Sequence, residues 1–408
     1  MPLKFVDICN GMGGFRTAMQ RVYPDSQCVF SSDIKKTAIK VYKDNFGEDC
    51  HNDITRINPQ NVPDFDILCA GFPCQAFSSA GKRRGFLDTR GTVFFYILQI
   101  IKEKKPPHII MENVEGLLTH KKGQTFQIIK GCLENEGYYV YHRVISGVDV
   151  GVPQDRRRVY IVCTQDKPFE FEEPVVLNEI KLSNVLQQGV TNRYVHDNVT
   201  KKLLASFSGE ELNGKKVNDK RGGDGNIHSW DMGLKGEVQG SARELMNKFL
   251  TQRRRKSWAK INNVKWSDGM PLSVENIRTF HDVDNLRELL SDLVNKGYMK
   301  EVHNGWYDMY GGKLSFSVAH ILHPNEPTPT IVATDANKLV VVDNGKLRRL
   351  TLVEFLRLFG YDDDYDFSSV TYNQALDLLG NSIVVPIVEE ILHLLNFGKK
   401  HTSFPTLQ

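Results

Sequence analysis

The 408-residue chain has seven cysteines but no C-x-x-C pair. That excludes the usual zinc-ribbon spacing, and an odd count argues against a paired disulfide framework. It lacks a charged-then-apolar leader and any apolar window of about 18 residues, so neither secretion nor a membrane span is expected. Internal repeats and low-complexity tracts are also missing, which excludes solenoids and compositionally driven disorder. Net charge is scarce at +3, yet it is unevenly spread. Residues 201–260 hold 14 Lys/Arg against 7 Asp/Glu, a +7 segment in a chain whose remainder is −4. Such asymmetry suggests one face for a polyanion, with a merely solvated basic surface as the alternative. What remains is globular: 40% hydrophobic and 25% charged residues, enough for two or three domains. The thiols point to a reducing, cytoplasmic setting.

Residues 1–165 alternate apolar strands with amphipathic helices. Strands are predicted over 3–9, 27–32, 65–69, 108–112, 138–145 and 158–163, with helices over 14–22, 34–46, 91–101 and 123–136. Strict alternation of this kind implies an α/β fold with a doubly wound, mostly parallel sheet. The rhythm stops near Pro168. Residues 170–240 are polar, with little periodicity; then come a long basic helix over 241–260, a helix from Ser273, a helix over 283–296 and a hairpin over 298–318. Three helices and a hairpin match the order of a winged helix-turn-helix. Strand–helix character returns from Pro327, with helices over 350–360 and 383–395, and the last dozen residues read as a tail. The division expected is 1–168, an inserted 169–326, and a returning 327–408.

Chemistry concentrates at strand ends. Phe72-Pro73-Cys74-Gln75 follows the buried strand that Gly71 closes, where an open α/β sheet carries its active site. Lys82, Arg83 and Arg84 follow in a glycine-flanked loop, and a thiol near cations is a better nucleophile. Taken alone, Cys74 is as readily a small buried hydrophobe. The first turn, Asp7-Ile8-Cys9-Asn10-Gly11-Met12-Gly13-Gly14, exposes amides at a helix start, and Asp33 follows about twenty residues on. That is the place of a ribose-binding carboxylate in a nucleotide-binding sheet, and Asp53 lies in reach of an adenine edge. A nucleoside without a pyrophosphate fits this turn as well as NAD does.

Leu87-Asp88-Thr89-Arg90-Gly91-Thr92, Met111-Glu112-Asn113-Val114, Gln154-Asp155-Arg156-Arg157-Arg158 and Gly380-Asn381-Ser382 complete an ordered set. Together with the Cys74 turn they resemble the DNA (cytosine-5) methyltransferase family of bacterial and phage restriction–modification systems. The resemblance covers about 240 residues, 1–165 and roughly 327–397, and implies a Rossmann-like, class I S-adenosylmethionine-dependent fold. It makes Cys74 the nucleophile that adds to C6 of a flipped cytosine, Glu112 the acid at N3 and the 4-amino group, and Arg158 the holder of O2, with Arg156 nearby. On the cofactor side it implies Asp7, Gly11, Gly13 and Gly14 by the methionine moiety, Asp33 at the ribose, and Ile34, Asp53 and Ile54 at the adenine. Pro73, Val93, Asn381 and Ser382 line the rest, and no metal is needed. Cys9 and Ile34 stand where the family usually has aromatics, so cofactor affinity is expected to be modest.

The loop over 77–90 is the candidate lid, with Lys82, Arg83 and Arg84 meeting phosphates. In the insert, where this family keeps its target-recognition domain, Arg253, Arg254 and Arg255 are candidate phosphate grips on a helix, with Trp258 packing. The 283–296 helix is either a groove reader or, because it carries acids as well as Arg287, a structural support. The expected partner is double-stranded DNA, approached by a monomer. A cognate endonuclease would act on the same site without direct contact. The rivals are a tRNA cytosine-5 methyltransferase on the same scaffold and a catalytically silent DNA-binding protein.

Overall fold

The computed structural model describes residues 2–50, 53–73, 93–165, 168–172, 180–310 and 316–397. The chain divides into two compact units, one of residues 1–187, 325–336 and 351–408, the other of residues 188–324 and 337–350. The first unit is built on a six-stranded sheet. Its elements run β1 (Lys4–Ile8), α1 (Gly14–Val22), β2 (Gln27–Ser32), α2 (Lys36–Phe46), β3 (Ile67–Gly71), α3 (Val93–Lys104), β4 (His108–Val114), α4 (Gln124–Asn135), β5 (Tyr139–Ile145), β6 (Gln154–Asp155) and β7 (Arg158–Thr164). The six strands lie in the order β2-β1-β3-β4-β7-β5, and β6 pairs elsewhere. Pairings are parallel from β2 to β4, and β7 runs antiparallel to both neighbours. Continuous apolar runs explain the central strands: Leu68, Ala70, Ile109, Met111, Val159 and Ile161 are buried in one core with Phe94 and Ile97 of α3. Strands covered on both faces need no polar alternation.

The second unit holds two cores. One forms around α5 (Gly240–Gln252), α6 (Lys256–Ile261), β8 (Leu272–Ser273), α7 (Val274–Arg278), α8 (Leu286–Asn295), β9 (Met299–His303) and β10 (Trp306–Met309). The strands make a sheet ordered β8-β10-β9, antiparallel throughout. Helices, a short strand, two helices and a returning hairpin is winged-helix topology, as the sequence order suggested. The expected single helix over 241–260 is instead two. It breaks at Arg253–Arg255, where the Arg253 side chain turns inward.

The other core joins Leu203, Leu212, Val217, Ile321, Val340 and Leu347. It corrects the expected division, because residues 337–350 belong to this unit rather than to the returning segment. Leu339–Asp343 pairs in parallel with His320–Ile321 and folds back on Lys346–Arg349. The turn is Asn344-Gly345, both residues at positive φ (49° and 70°), the geometry that lets a two-residue hairpin follow strand twist. Residues 180–187 likewise pack with the first unit: the Leu182 amide donates to the Glu326 carbonyl at 3.2 Å and Arg357 donates to the Val185 carbonyl at 3.1 Å.

The first unit closes with α9 (Leu352–Phe359), α10 (Tyr372–Gly380) and α11 (Val385–Leu395). Thr351 caps α9, accepting from the Glu354 amide while the Glu354 carboxylate accepts from the Thr351 amide. The stretch Tyr372–Leu395 is apolar enough on average to cross a membrane. It is nonetheless two helices broken at Asn381-Ser382, with most of their apolar residues buried in the unit.

Candidate active site

Strand order reverses on either side of β1, which opens a crevice at the carboxyl ends of β1 and β3. The Cys9–Gly14 turn leaves β1 there. Cys9 (φ 55°), Gly11 (55°) and Gly13 (79°) are left-handed, a conformation that an L side chain such as that of Cys9 adopts only under tight constraint. The Asn10 amide donates to the Ser32 carbonyl at 3.2 Å and the Gly13 amide to the Asn10 carbonyl at 2.7 Å. Asp33 fastens the turn from β2: Oδ2 accepts from the Gly11 amide at 2.9 Å, and Oδ1 from the Lys35 amide at 2.8 Å. A methyl group on Gly11 would meet nothing within 4 Å, whereas on Gly13 it would collide with the Phe46 ring and on Gly14 with Ile383 and Tyr361. Gly11 faces open space. Gly13 and Gly14 are glycine for packing.

Ile34, beside Asp33, is 73% exposed, an unusual position for a large aliphatic side chain. Asp53 caps the short turn Ile54–Arg56, accepting from the Thr55 amide and hydroxyl, and these donors hold its carboxyl below the usual range. Ile54 is buried. Asp7 is fully buried beneath the turn, and neither carboxyl oxygen has a hydrogen-bond partner among the described residues. Burial pushes that carboxyl well up, Asp33 adds to the effect and Arg16 opposes it. An exposed aliphatic, an open glycine and an acid at the end of β2 fit an adenosyl group. Replacing Ile34 by tryptophan is expected to tighten S-adenosylmethionine binding several-fold by calorimetric titration, since a larger flat surface would cover more apolar area. An unchanged dissociation constant would remove Ile34 from the adenine site.

Glu112 sits on β4 directly opposite Gly71 of β3. Its Oε2 lies 4.0 Å from where a Cβ on Gly71 would be. Arg158, at the start of the antiparallel β7, reaches back so that its Nε is 3.2 Å from Glu112 Oε1, with both side chains about 14% exposed. Burial raises the Glu112 carboxyl above its ordinary value, while the charges of Arg156 and Arg158 pull it down. Cys74, which follows Gly71 by three positions in the sequence, lies outside the described residues. The buried Asn113 fixes the approach: its Nδ2 donates to the Phe72 carbonyl at 2.7 Å. Nothing in the sequence marks Asn113 for this task, because an amide aimed at a main-chain oxygen leaves no pattern.

Arg156, expected near the base, is close enough to Glu112 for its charge to act on that carboxyl, but its own donors are buried among main-chain carbonyls. It donates to Ile331 (3.1 Å), Gly380 (3.2 Å) and Ser382 (2.7 Å), and stacks over Phe359. Burial and the like charge of Arg158 pull its pKa down to about 10. Gln154 does similar work, donating to the Leu358 carbonyl at 2.6 Å and accepting from the Ile331 amide at 3.2 Å. Arg156 is therefore a clamp that sets Asn381 and Ser382 in place. The Asn381 amide binds the Asp377 carbonyl, and the Ser382 hydroxyl bonds the Tyr361 hydroxyl at 2.7 Å. Arg156→Ala strands three buried acceptors and is expected to cost about 3 kcal/mol in denaturant unfolding. A loss below about 1 kcal/mol would show that the clamp carries little load.

Pro73 is exposed at the end of the described β3 exit, and Val93 opens α3 half-buried. Lys82, Arg83 and Arg84, like the rest of the candidate lid, lie outside the described residues. The insert's arginines are a correction. Arg253 is buried, paired with Asp308 at 2.6 Å and bonded to the Gly269 carbonyl, so it holds β10 rather than a phosphate. Arg254 is engaged by both oxygens of Asp268. Arg255 alone of the three is exposed. Trp258 packs as expected, its indole donating to the Thr279 hydroxyl.

Residues 3–396 match the family described as C-5 cytosine-specific DNA methylase. The chain is 44% identical to Type II methyltransferase M.NlaIV of Neisseria lactamica and 43% to M.NgoBV of Neisseria gonorrhoeae. Both alignments cover 96% of this chain and 99% of the relative. Among solved structures it resembles the Dnmt2 methyltransferase of S. pombe (TM-score 0.54, 18% identity, covering 97% of this chain and 100% of that one). It also resembles the Entamoeba histolytica methyltransferase EhMeth (0.54, 17%, covering 97% and 98%). At these identities the structural likeness speaks for the fold.

Proposed function

Because this chain belongs to the C-5 cytosine-specific DNA methylase family, we propose that it methylates C5 of a cytosine in duplex DNA at a specific sequence, as the modification half of a restriction–modification pair. The observation that carries the site assignment is the pairing of Glu112 with Gly71, and of Arg158 with Glu112, at the strand end that leads to Cys74. S-adenosylmethionine, when bound, supplies an electrophilic methyl group. C5 of cytosine is too weakly nucleophilic to take it unaided. The Cys74 thiolate adds to C6 and pushes electrons toward C5 and N3. Glu112 offers a proton to N3, and Arg158 holds O2 and keeps Glu112 turned inward. After C5 is methylated, loss of its proton and β-elimination across C5–C6 release the thiolate.

Since C5 is stacked inside the helix, the base must be flipped out, at a cost of a few kcal/mol that protein–DNA contacts offset. The protein acts as a monomer in the cytoplasm of its bacterial or phage-infected host, and a cognate endonuclease shares the site without touching it. Bisulfite sequencing of DNA from cells expressing the chain tests the function directly. One protected cytosine in a fixed sequence context is expected. Methylation of tRNA but not of duplex DNA would overturn it.

A further inference from the structure

The winged-helix unit presents an unexpected charge pattern. In the usual arrangement the helix that precedes the hairpin, here α8, enters the major groove. Yet residues 273–295, spanning α7 and α8, carry five acids (Glu275, Asp282, Asp284, Glu288, Asp292) against Arg278 and Arg287. Arg278 is already paired with Asp282 at 2.6 Å. Phosphates would be repelled from that face. Residues 240–260 hold the opposite balance, seven Lys/Arg and one acid. On α5, Arg243, Asn247, Lys248 and Gln252 recur at helical spacing, and Arg255 continues the row just beyond its end. They line a cleft of about 470 Å³ together with Asn226, Asp224 and Asp231. Lys248 pairs with Glu244 at 2.6 Å, both about half exposed, a surface pair that a phosphate can replace.

The cleft is built rather than incidental. Asp231, almost wholly buried, accepts from Arg243 Nε at 2.7 Å and meets the buried His228 at 2.9 Å, so Arg243 is held in one direction. His228 stacks on Trp230 with ring centroids 4.4 Å apart, and the Trp230 indole donates to Asn247 Oδ1 at 3.2 Å, orienting that amide too. Arginine and lysine grip phosphates, and oriented Asn and Gln amides suit a base edge or sugar.

We propose that the insert engages duplex DNA through the first helix of its winged helix, α5, with Arg243, Lys248 and Arg255 on the phosphates, and that α8 is a structural support. This rests on the DNA-methylating reading above. The test is binding of a duplex oligonucleotide by fluorescence anisotropy over a series of salt concentrations. Each phosphate contact contributes about 0.9 to the slope of log affinity against log salt. The Lys248→Ala/Arg255→Ala double variant should therefore flatten the slope by about 2. Arg287→Ala on α8 should leave the slope unchanged, and the swap Lys248→Arg/Arg255→Lys should restore it, which a folding defect would not allow. A double variant with the wild-type slope, or a slope change that follows Arg287 instead, overturns the assignment to α5. A wild-type protein that binds no duplex at any salt overturns the functional reading together with it.

Discussion

Cys74→Ser is expected to lower methyl transfer by on the order of 10⁴-fold or more while leaving duplex binding within a few-fold of wild type. The size follows from the chemistry. A serine hydroxyl is scarcely ionised at neutral pH, so addition at C6 lacks its nucleophile, and C5 stays unreactive however well the cofactor is held. Binding is spared because the atom exchanged grips no phosphate. Single-turnover methylation and anisotropy, measured on the same preparation, separate the two. A second probe is a duplex with 5-fluorocytosine at the target, which cannot lose a C5 proton and so traps the adduct. Wild type should form a covalent band stable to denaturation, and Cys74→Ser should not. Turnover retained in the serine variant would remove Cys74 from the mechanism.

Glu112→Gln is expected to cost about 10² to 10⁴ in the rate of the chemical step, the usual worth of a positioned proton donor. Its pH behaviour makes the prediction specific. The protonated carboxyl is the form that can give N3 a proton. Burial raises the Glu112 pKa and thereby keeps that form populated to higher pH than in a free glutamic acid. Activity should fall as pH rises through the raised value, giving an alkaline limb. Glutamine can donate a hydrogen bond but cannot transfer the proton, so the residual activity of Glu112→Gln should lack the alkaline limb. Arg158→Gln removes a charge that lowers the pKa, so its alkaline limb should move to higher pH. A limb that persists unchanged in Glu112→Gln belongs to another group.

Much of the first unit was legible because its signals are local. The strands of the six-stranded sheet are short apolar runs, and they lie within about two residues of where periodicity puts them, as with Gln27–Ser32 and Arg158–Thr164. Asp33 and Glu112 were legible because strand ends are where such sheets do chemistry. What escaped was non-local. Arg156 reads as a neighbour of the base until Ile331, Gly380 and Ser382 are brought around it from more than 170 positions away. Arg253 reads as a phosphate grip because its partners, Asp308 and the Gly269 carbonyl, are also distant in sequence. The hairpin at Asn344-Gly345 is a different case. Its turn dipeptide between Leu339–Asp343 and Lys346–Arg349 is a strong local signal, but nothing in it says that the strand joins His320–Ile321.

The clamp made by Gln154 and Arg156 touches its distant segments almost wholly through main-chain atoms: the carbonyls of Ile331, Leu358, Gly380 and Ser382, and the amide of Ile331. Every residue type offers a carbonyl, so the joint is indifferent to which side chains those segments carry. It demands only that the backbone pass at the right place. Substitutions can therefore accumulate at these contact positions without loosening the joint, while Gln154 and Arg156 themselves have little freedom to vary. Most of the constraint on a long-range connection is thus loaded onto two residues on one side of it.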